Sequence, residues 1–222
     1  FREKIKDTYP GKAREQTFAE AELLLGHKQA ESSVQRRHGL GKLQFPSPDG
    51  RQLVAVGKDM LSVHMLRPYQ GWEKFRERIT QALTAYHEIG KPVGVERVGL
   101  RYINKIEIKA GKGAIDLDNY FSSPISIPEN FPARMQRFLT RTEHQCVDVP
   151  IKIITTFASL ELPKSDEPKF AFLLDIDMVW QFENEPAPLD QLIERVEDLR
   201  IRERNIFELL IKDPSRELFD GK

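Results

Sequence analysis

Asp175 and Asp177 have the most chemistry to offer. They stand at i and i+2 in "FAFLLDIDMVW", residues 170–180. In an extended strand that spacing puts both carboxylates on one side, several ångströms apart. Two such carboxylates make half of a magnesium or calcium site. A second polar set lies in "VERVGLRYINKIEI", residues 95–108. There Arg97 and Arg101 share one side of a strand, and Asn104 sits on the apolar side. If the two strands are neighbours, Arg97 and Arg101 face Asp175 and Asp177. Opposite charges across a ladder stabilise it by about 0.2–1 kcal/mol per pair. Ion pairing is the favoured reading, because no further acidic or histidine residue is linked to the Asp pair by a motif.

Arg97 and Arg101 also suit a phosphate or carboxylate, since guanidinium forks match those anions. The Asp pair argues against a free anion site, because it would neutralise the arginines. Asn104 is expected to satisfy backbone groups at a bulge or sheet end. Gly99 is expected to let an aromatic ring or a backbone lie close over the sheet. His27, His38, His64, His87 and His144 show no ligand spacing to one another. Cys146 lies two residues from His144, which gives a Cys–His dyad little of the geometry it needs. No Walker loop, dinucleotide fingerprint, nucleophile elbow or HExxH motif occurs. No cofactor is expected. The run "VQRRHGLGK", residues 34–42, is basic and has no interleaved aromatic platform. Nucleic acid is therefore not the favoured partner.

The elements that must carry these residues follow from periodicity. Residues 1–9 look like the last turns of a helix, stopped at "YPGK". Residues 11–33 have a charged-alanine composition that fits a loose helix or a surface loop. From Val34 to Leu66, turn signals at "SPDG" and "GKD" divide a three-stranded antiparallel meander, with Leu61, Val63 and Met65 on one face. "GWEKFRERITQALTAYHEIG" is an amphipathic helix with Trp72, Phe75, Ile79, Ala82, Tyr86 and Ile89 in its stripe and Gly90 as its stop. In the strand that follows, Val98, Leu100, Tyr102, Ile106 and Ile108 share a face. Residues 110–135 form a long connection whose aromatic-bearing part, "DNYFSSPISIPENF", is expected to be exposed.

A strand with Val147, Val149, Ile151, Ile153 and Phe157 on one face comes next. In the Asp strand, Phe170, Phe172, Leu174, Ile176, Met178 and Trp180 share the other face. A second long helix carries Leu189, Leu192, Ile193, Val196, Leu199, Ile206, Phe207 and Leu210. Asp213 and Pro214 then fit an N-cap and a first helical position. The fold expected is α+β: a twisted antiparallel sheet with two long amphipathic helices on one face, either as two similar halves or in a helix-grip-like arrangement. One domain over residues 1–222 is expected, with 1–90 and 91–222 as an optional division into halves.

Composition narrows the function classes. The 222 residues carry 34 basic and 34 acidic side chains, so there is no global pull toward nucleic acid or anionic membrane. A single cysteine excludes an internal disulfide framework and a cysteine-built zinc site, and fits the cytoplasm. No apolar run reaches the length of a membrane span.

Four strings, "SPDGRQLVAVGKDMLSVHMLRPYQGWEKF", "RVGLRYINKIEI", "LLDIDM" and "NIFELLIKDPSRELF", run in that order from about Phe45 to Phe219. Together they resemble a sporadically distributed, uncharacterised prokaryotic protein family. Members generally begin with a further strand ahead of the first helix, so the resemblance implies an amino-terminal strand before Phe1. The family carries no assigned activity. Its patchy occurrence implies an accessory role, such as defence against mobile elements or a toxin–antitoxin-like pairing.

Three functions are therefore expected in order. The first is a non-enzymatic interaction module that pairs with another protein or with itself. The second is a metal-dependent enzyme acting on nucleic acid or nucleotides through Asp175 and Asp177. The third is a small-ligand binder lined by Tyr102, Trp72 and Trp180.

Overall fold

The computed structural model describes residues 1–24, 33–109, 115–122, 125, 127–128, 130–133, 135–162, 169–182, 188 and 191–220, with backbone alone over 18–24 and 33–40. Leu189, His27 and most of the basic 34–42 run's side chains thus lie outside what is described. The chain is α+β with antiparallel sheets, and it divides into two compact units, Phe1–Pro92 and Val93–Lys222.

The first unit begins with a short helix α1, Arg2–Ile5, and continues into strands β1 (Arg14–Leu24), β2 (Ser33–Pro46), β3 (Gln52–Val56) and β4 (Leu61–Met65). They form a four-stranded antiparallel sheet in the order β1-β2-β3-β4. The meander expected from Val34 onward is there. Within the stretch before it, residues 14–24 are a strand paired to β2 rather than a loose helix or a surface loop, with an irregularity at Gln16/Thr17; residues 25–32 lie outside the described ones. Ala, Glu and Leu favour a helix locally, and ladder pairing overrides that preference.

The "SPDG" turn works through its first and last residues. Gly50 takes φ +68°, and Ser47 Oγ accepts from Gln52 N at 2.9 Å. Helix α2, Trp72–Gly90, then closes one face of this sheet. Ile5, Tyr9, Phe45, Val54, Ala82 and Ala85 make the core between them. The stop falls one residue later than expected, with Lys91 left-handed at φ 42° and its N–H on His87 O. Ile89, expected in the stripe, is 52% exposed.

The second unit holds β5 (Arg97–Lys109), β6 (Leu139–Gln145), β7 (Ile151–Leu160) and β8 (Lys169–Gln181), in the order β5-β8-β7-β6. Among the described residues the chain therefore carries two four-stranded sheets. β6 was not expected. Its "LTRTEHQ" is exposed at all but one position, so it offers no apolar alternation to read. Val147 belongs to the turn before β7 and is fully exposed, which removes it from the expected strand face.

Helix α3, Leu192–Leu210, covers one face of this sheet with Leu192, Val196 and Leu199. Arg195 lies over Trp180 at 4.6 Å, and Arg200 over Tyr102 at 5.0 Å. The rest of that face is a cluster of Ile106, Ile108, Phe121, Phe157, Phe172, Leu174 and Ile211.

Phe121 corrects the expectation of an exposed aromatic loop. It is 1% exposed, with ring centroids 4.7 Å from Phe157 and 5.5 Å from Phe172. A 3-10 turn at Leu117–Asn119 delivers it, and a single bridge pairs it with Ile211. Phe131, in the same connection, is 58% exposed as expected. Helix α4, Asp213–Asp220, follows. Asp213 already lies in the helix, and its carboxylate accepts Arg216 Nη1 at 2.6 Å.

Candidate functional site

β5 and β8 pair antiparallel without a register shift from Arg97–Gln181 to Lys109–Lys169. Directly opposed residues share a face. Arg101 opposes Asp177, and Ile103 opposes Asp175. β7 continues the two rows with Ile154 and Thr156, and β6 ends them with Glu143 and Arg141. The polar cluster therefore spans all four strands, on the face that α3 does not cover.

Arg101 does not bond the residue it opposes. It reaches diagonally and donates Nε and Nη2 to the two carboxylate oxygens of Asp175, at 2.8 and 2.6 Å. Its side chain keeps half its surface while Asp175 is 6% exposed. The fork satisfies a nearly buried carboxylate that would otherwise be costly. This bond is the main reason the Arg101 guanidinium is held above its ordinary pKa.

Asp177 is half-buried beside Ile154. Burial pushes its carboxyl up, Arg101 opposes that, and the neighbouring Asp175 adds to it; Arg97 and Arg141 pull it down more weakly. The two acids are thus unequal: one is neutralised by a fork, the other is partly desolvated.

A metal would need both carboxylates, and both oxygens of Asp175 are occupied by Arg101. Among the described residues no group of three or more His, Cys, Asp and Glu converges on a metal position.

Asn104 satisfies a backbone group, as expected, but not at a bulge or sheet end. Its Nδ2 donates to Leu174 O at 3.3 Å in mid-ladder. A Cβ on Gly99 would meet Met178 O at 3.4 Å and Val179 Cγ2 at 3.9 Å, so among the described residues nothing lies over it beyond the paired strand β8.

The remaining candidates stay apart. Among the described residues His144 bonds Thr142 Oγ1 at 2.9 Å rather than Cys146. Burial pushes the Cys146 thiol up, away from a reactive thiolate. His64 meets Ser62 Oγ at 3.0 Å along the same strand, a nucleophile–base contact that no carboxylate orients among the described residues. Tyr102 and Trp180 are covered by Arg200 and Arg195, and Trp180 also stacks on Phe182 at 6.1 Å. Trp72 belongs to the first unit, edge-on to Phe75 at 6.1 Å.

Two features escaped the sequence reading. Glu203 sits in the buried stripe of α3, four residues after Leu199, and is 3% exposed. Burial pushes its carboxyl up to about 7, against Arg200 at 2.9 Å. An acid at a stripe position was the available signal. The second is Ile103, 57% exposed on the charged face; Leu139, 71% exposed, shares that face from the opposite edge strand. Residues 103 and 104 invert the alternation of β5, with the apolar one outward and the polar one inward.

Comparison with family models, with curated proteins and with solved structures finds no match for this chain. Among the described residues no helix is long and apolar enough to cross a membrane.

Proposed function

We propose that this protein is a non-enzymatic interaction module that docks another protein on the sheet face α3 leaves open. One observation carries the reading. Arg101 is spent on Asp175, while Ile103 and Leu139 present large aliphatic side chains from the two edge strands of that face. Exposed aliphatics beside paired charges suit a docking surface, whereas a catalytic centre needs polar groups free to meet a substrate. The lone cysteine supports a reducing compartment. An accessory role in defence or in a toxin–antitoxin-like pair rests on the family resemblance alone.

The test is native mass spectrometry of the full-length protein purified gently from its host, beside an Ile103→Asp, Leu139→Asp variant. A co-purifying protein retained by the parent and lost from the variant is the expected result. Leu209→Asp, on the exposed side of α3, should retain it. A specific turnover abolished by one polar substitution would sink the reading.

A further inference from the structure

Helix α2 takes one face of the first sheet, the face of Phe45, Val54 and Val63. The other face carries polar side chains. Register puts Arg14, Gln44, Ala55 and Ser62 in one row across β1, β2, β3 and β4. Gln16 and Lys42 belong to the row on one side of it, and Pro46, Leu53 and His64 to the row on the other. Among the described side chains of this face there are two cations and an imidazole, and no acid.

The two cations lack carboxylates. The same unit pairs Lys4 with Glu88, Lys6 with Glu3 and Lys74 with Glu77. The side chains of Arg14 and Lys42 hold no hydrogen bond or ion pair among the described residues. They are diagonal neighbours, since Arg14 opposes Gln44 and Gln16 opposes Lys42. Diagonal pairs across an antiparallel ladder stand about 7–8 Å apart, within reach of long side chains. Like charges at that spacing repel, and one anion between them meets both.

Neutral donors flank the pair. Gln44 Nε2 donates to Gln16 Oε1 at 2.9 Å, which orients the Gln16 amide and leaves its own N–H donors unspent among the described residues. Ser62 Oγ and His64 Nε2 meet at 3.0 Å. Burial, and then the charge of Lys42, hold the His64 imidazole below its ordinary pKa. Lys42 stands on β2 and His64 on β4, so the field of that ammonium crosses β3.

Charge selects the anion. A carboxylate or a phosphodiester brings one negative charge to two cations. A phosphate dianion brings close to two, with at least three acceptor oxygens for a guanidinium, an ammonium and the neutral donors. Single-stranded nucleic acid fits worse, because among its described residues this face has no Phe, Tyr or Trp on which bases would stack.

We propose that this face of the first sheet binds a phosphate dianion, free or as a monoester, held by Arg14 and Lys42 with Gln16, Ser62 and His64 beside it. The site goes beyond the docking reading, which rests on the second unit.

The probes are inorganic phosphate and phenyl phosphate. Each is titrated into the full-length protein at about pH 7.5 and constant ionic strength, with the His64 ring followed by NMR. The ring should shift saturably, and its pKa should move up, because an adjacent anion favours the imidazolium. Arg14→Gln and Lys42→Gln should each weaken binding about tenfold at an unchanged melting temperature. Lys42→Arg, which keeps the charge, should retain binding. If Lys42→Gln unfolds the sheet, Arg14→Gln, at an exposed position, decides alone. Dimethyl phosphate, with a single charge, should bind at least about tenfold more weakly. Tighter inorganic phosphate supports the site with the free ion as its ligand, and tighter phenyl phosphate supports it with a monoester.

An equal response to acetate or chloride overturns the proposal, because screening alone then accounts for the shift. So does a His64 response that persists in the Arg14→Gln, Lys42→Gln double variant. Tighter binding of a pyrimidine oligonucleotide through the same residues also overturns it.

Discussion

Arg101 opposes Asp177 in the β5–β8 ladder and yet gives both of its hydrogen bonds to Asp175, two residues along β8. The diagonal matters because it assigns different fates to two acids that look equivalent in sequence. Asp175 becomes a structural anion, nearly buried and satisfied. Asp177 is left half-buried beside Ile154, with charges near it but no fork around it.

Arg101→Met should destabilise the fold by about 1–3 kcal/mol, because it leaves the Asp175 carboxylate desolvated and unpaired. The Asp175→Asn, Arg101→Met double variant should recover part of that loss. A double-mutant cycle in urea measures the coupling. Additive single effects would show that the fork contributes little.

Asp175→Asn and Asp177→Asn should behave oppositely at neutral pH. The first should cost about 1–3 kcal/mol, since it breaks the fork. The second should be neutral or slightly stabilising, because it removes a charge that burial opposes. Thermal melts at pH 7 separate them. A metal site would give a different pattern: tight magnesium or manganese binding by titration, lost in both variants with little change in melting temperature.

Glu203 predicts a pH dependence. Its folded-state value of about 7 lies above the ordinary 4.5, so the fold binds the proton more tightly than the unfolded chain does. The associated stability is fully present below pH 4.5 and is lost as pH rises through 7. The loss is on the order of 3 kcal/mol, set by the width of that window. Glu203→Gln should abolish this slope and exceed the parent in stability at pH 8. Denaturant midpoints at pH 5 and pH 8 check it; parallel behaviour of the two proteins would refute it.

Phe121→Ala should cost about 3–5 kcal/mol, as expected for a buried aromatic. Phe131→Ala, from the same connection but 58% exposed, should change stability by less than about 0.5 kcal/mol. Equal, small effects would mean that the connection does not anchor the sheet.

Alternation was the most legible signal in this chain. It identified both faces of β5 and β8, with Arg97 and Arg101 on one side of the first and Asp175 and Asp177 on one side of the second, because a period of two survives whatever the strand packs against. The helix stripe of α2 was readable for the same reason at a period of 3.6, apart from Ile89, which is exposed in its last turn. β1 and β6 were not readable. The residues of β1 prefer a helix in isolation, and β6 carries too little apolar alternation; both are strands because a neighbour supplies the hydrogen bonds. Phe121 was misread as exposed because a loop residue's burial depends on what the rest of the chain brings to it, here Ile211, Phe157 and Phe172.

The sequence by itself determined which side chains share a face, because local backbone geometry settles that within one strand or helix. Only the tertiary structure decided who meets whom across strands. Register set Arg101 opposite Asp177 and within diagonal reach of Asp175, packing under α3 drove the Glu203 carboxyl upward, and strand order left β5 beside β8 alone. Each of these depends on residues far apart in the chain, and a local pattern carries no record of the register or of the order in which strands assemble.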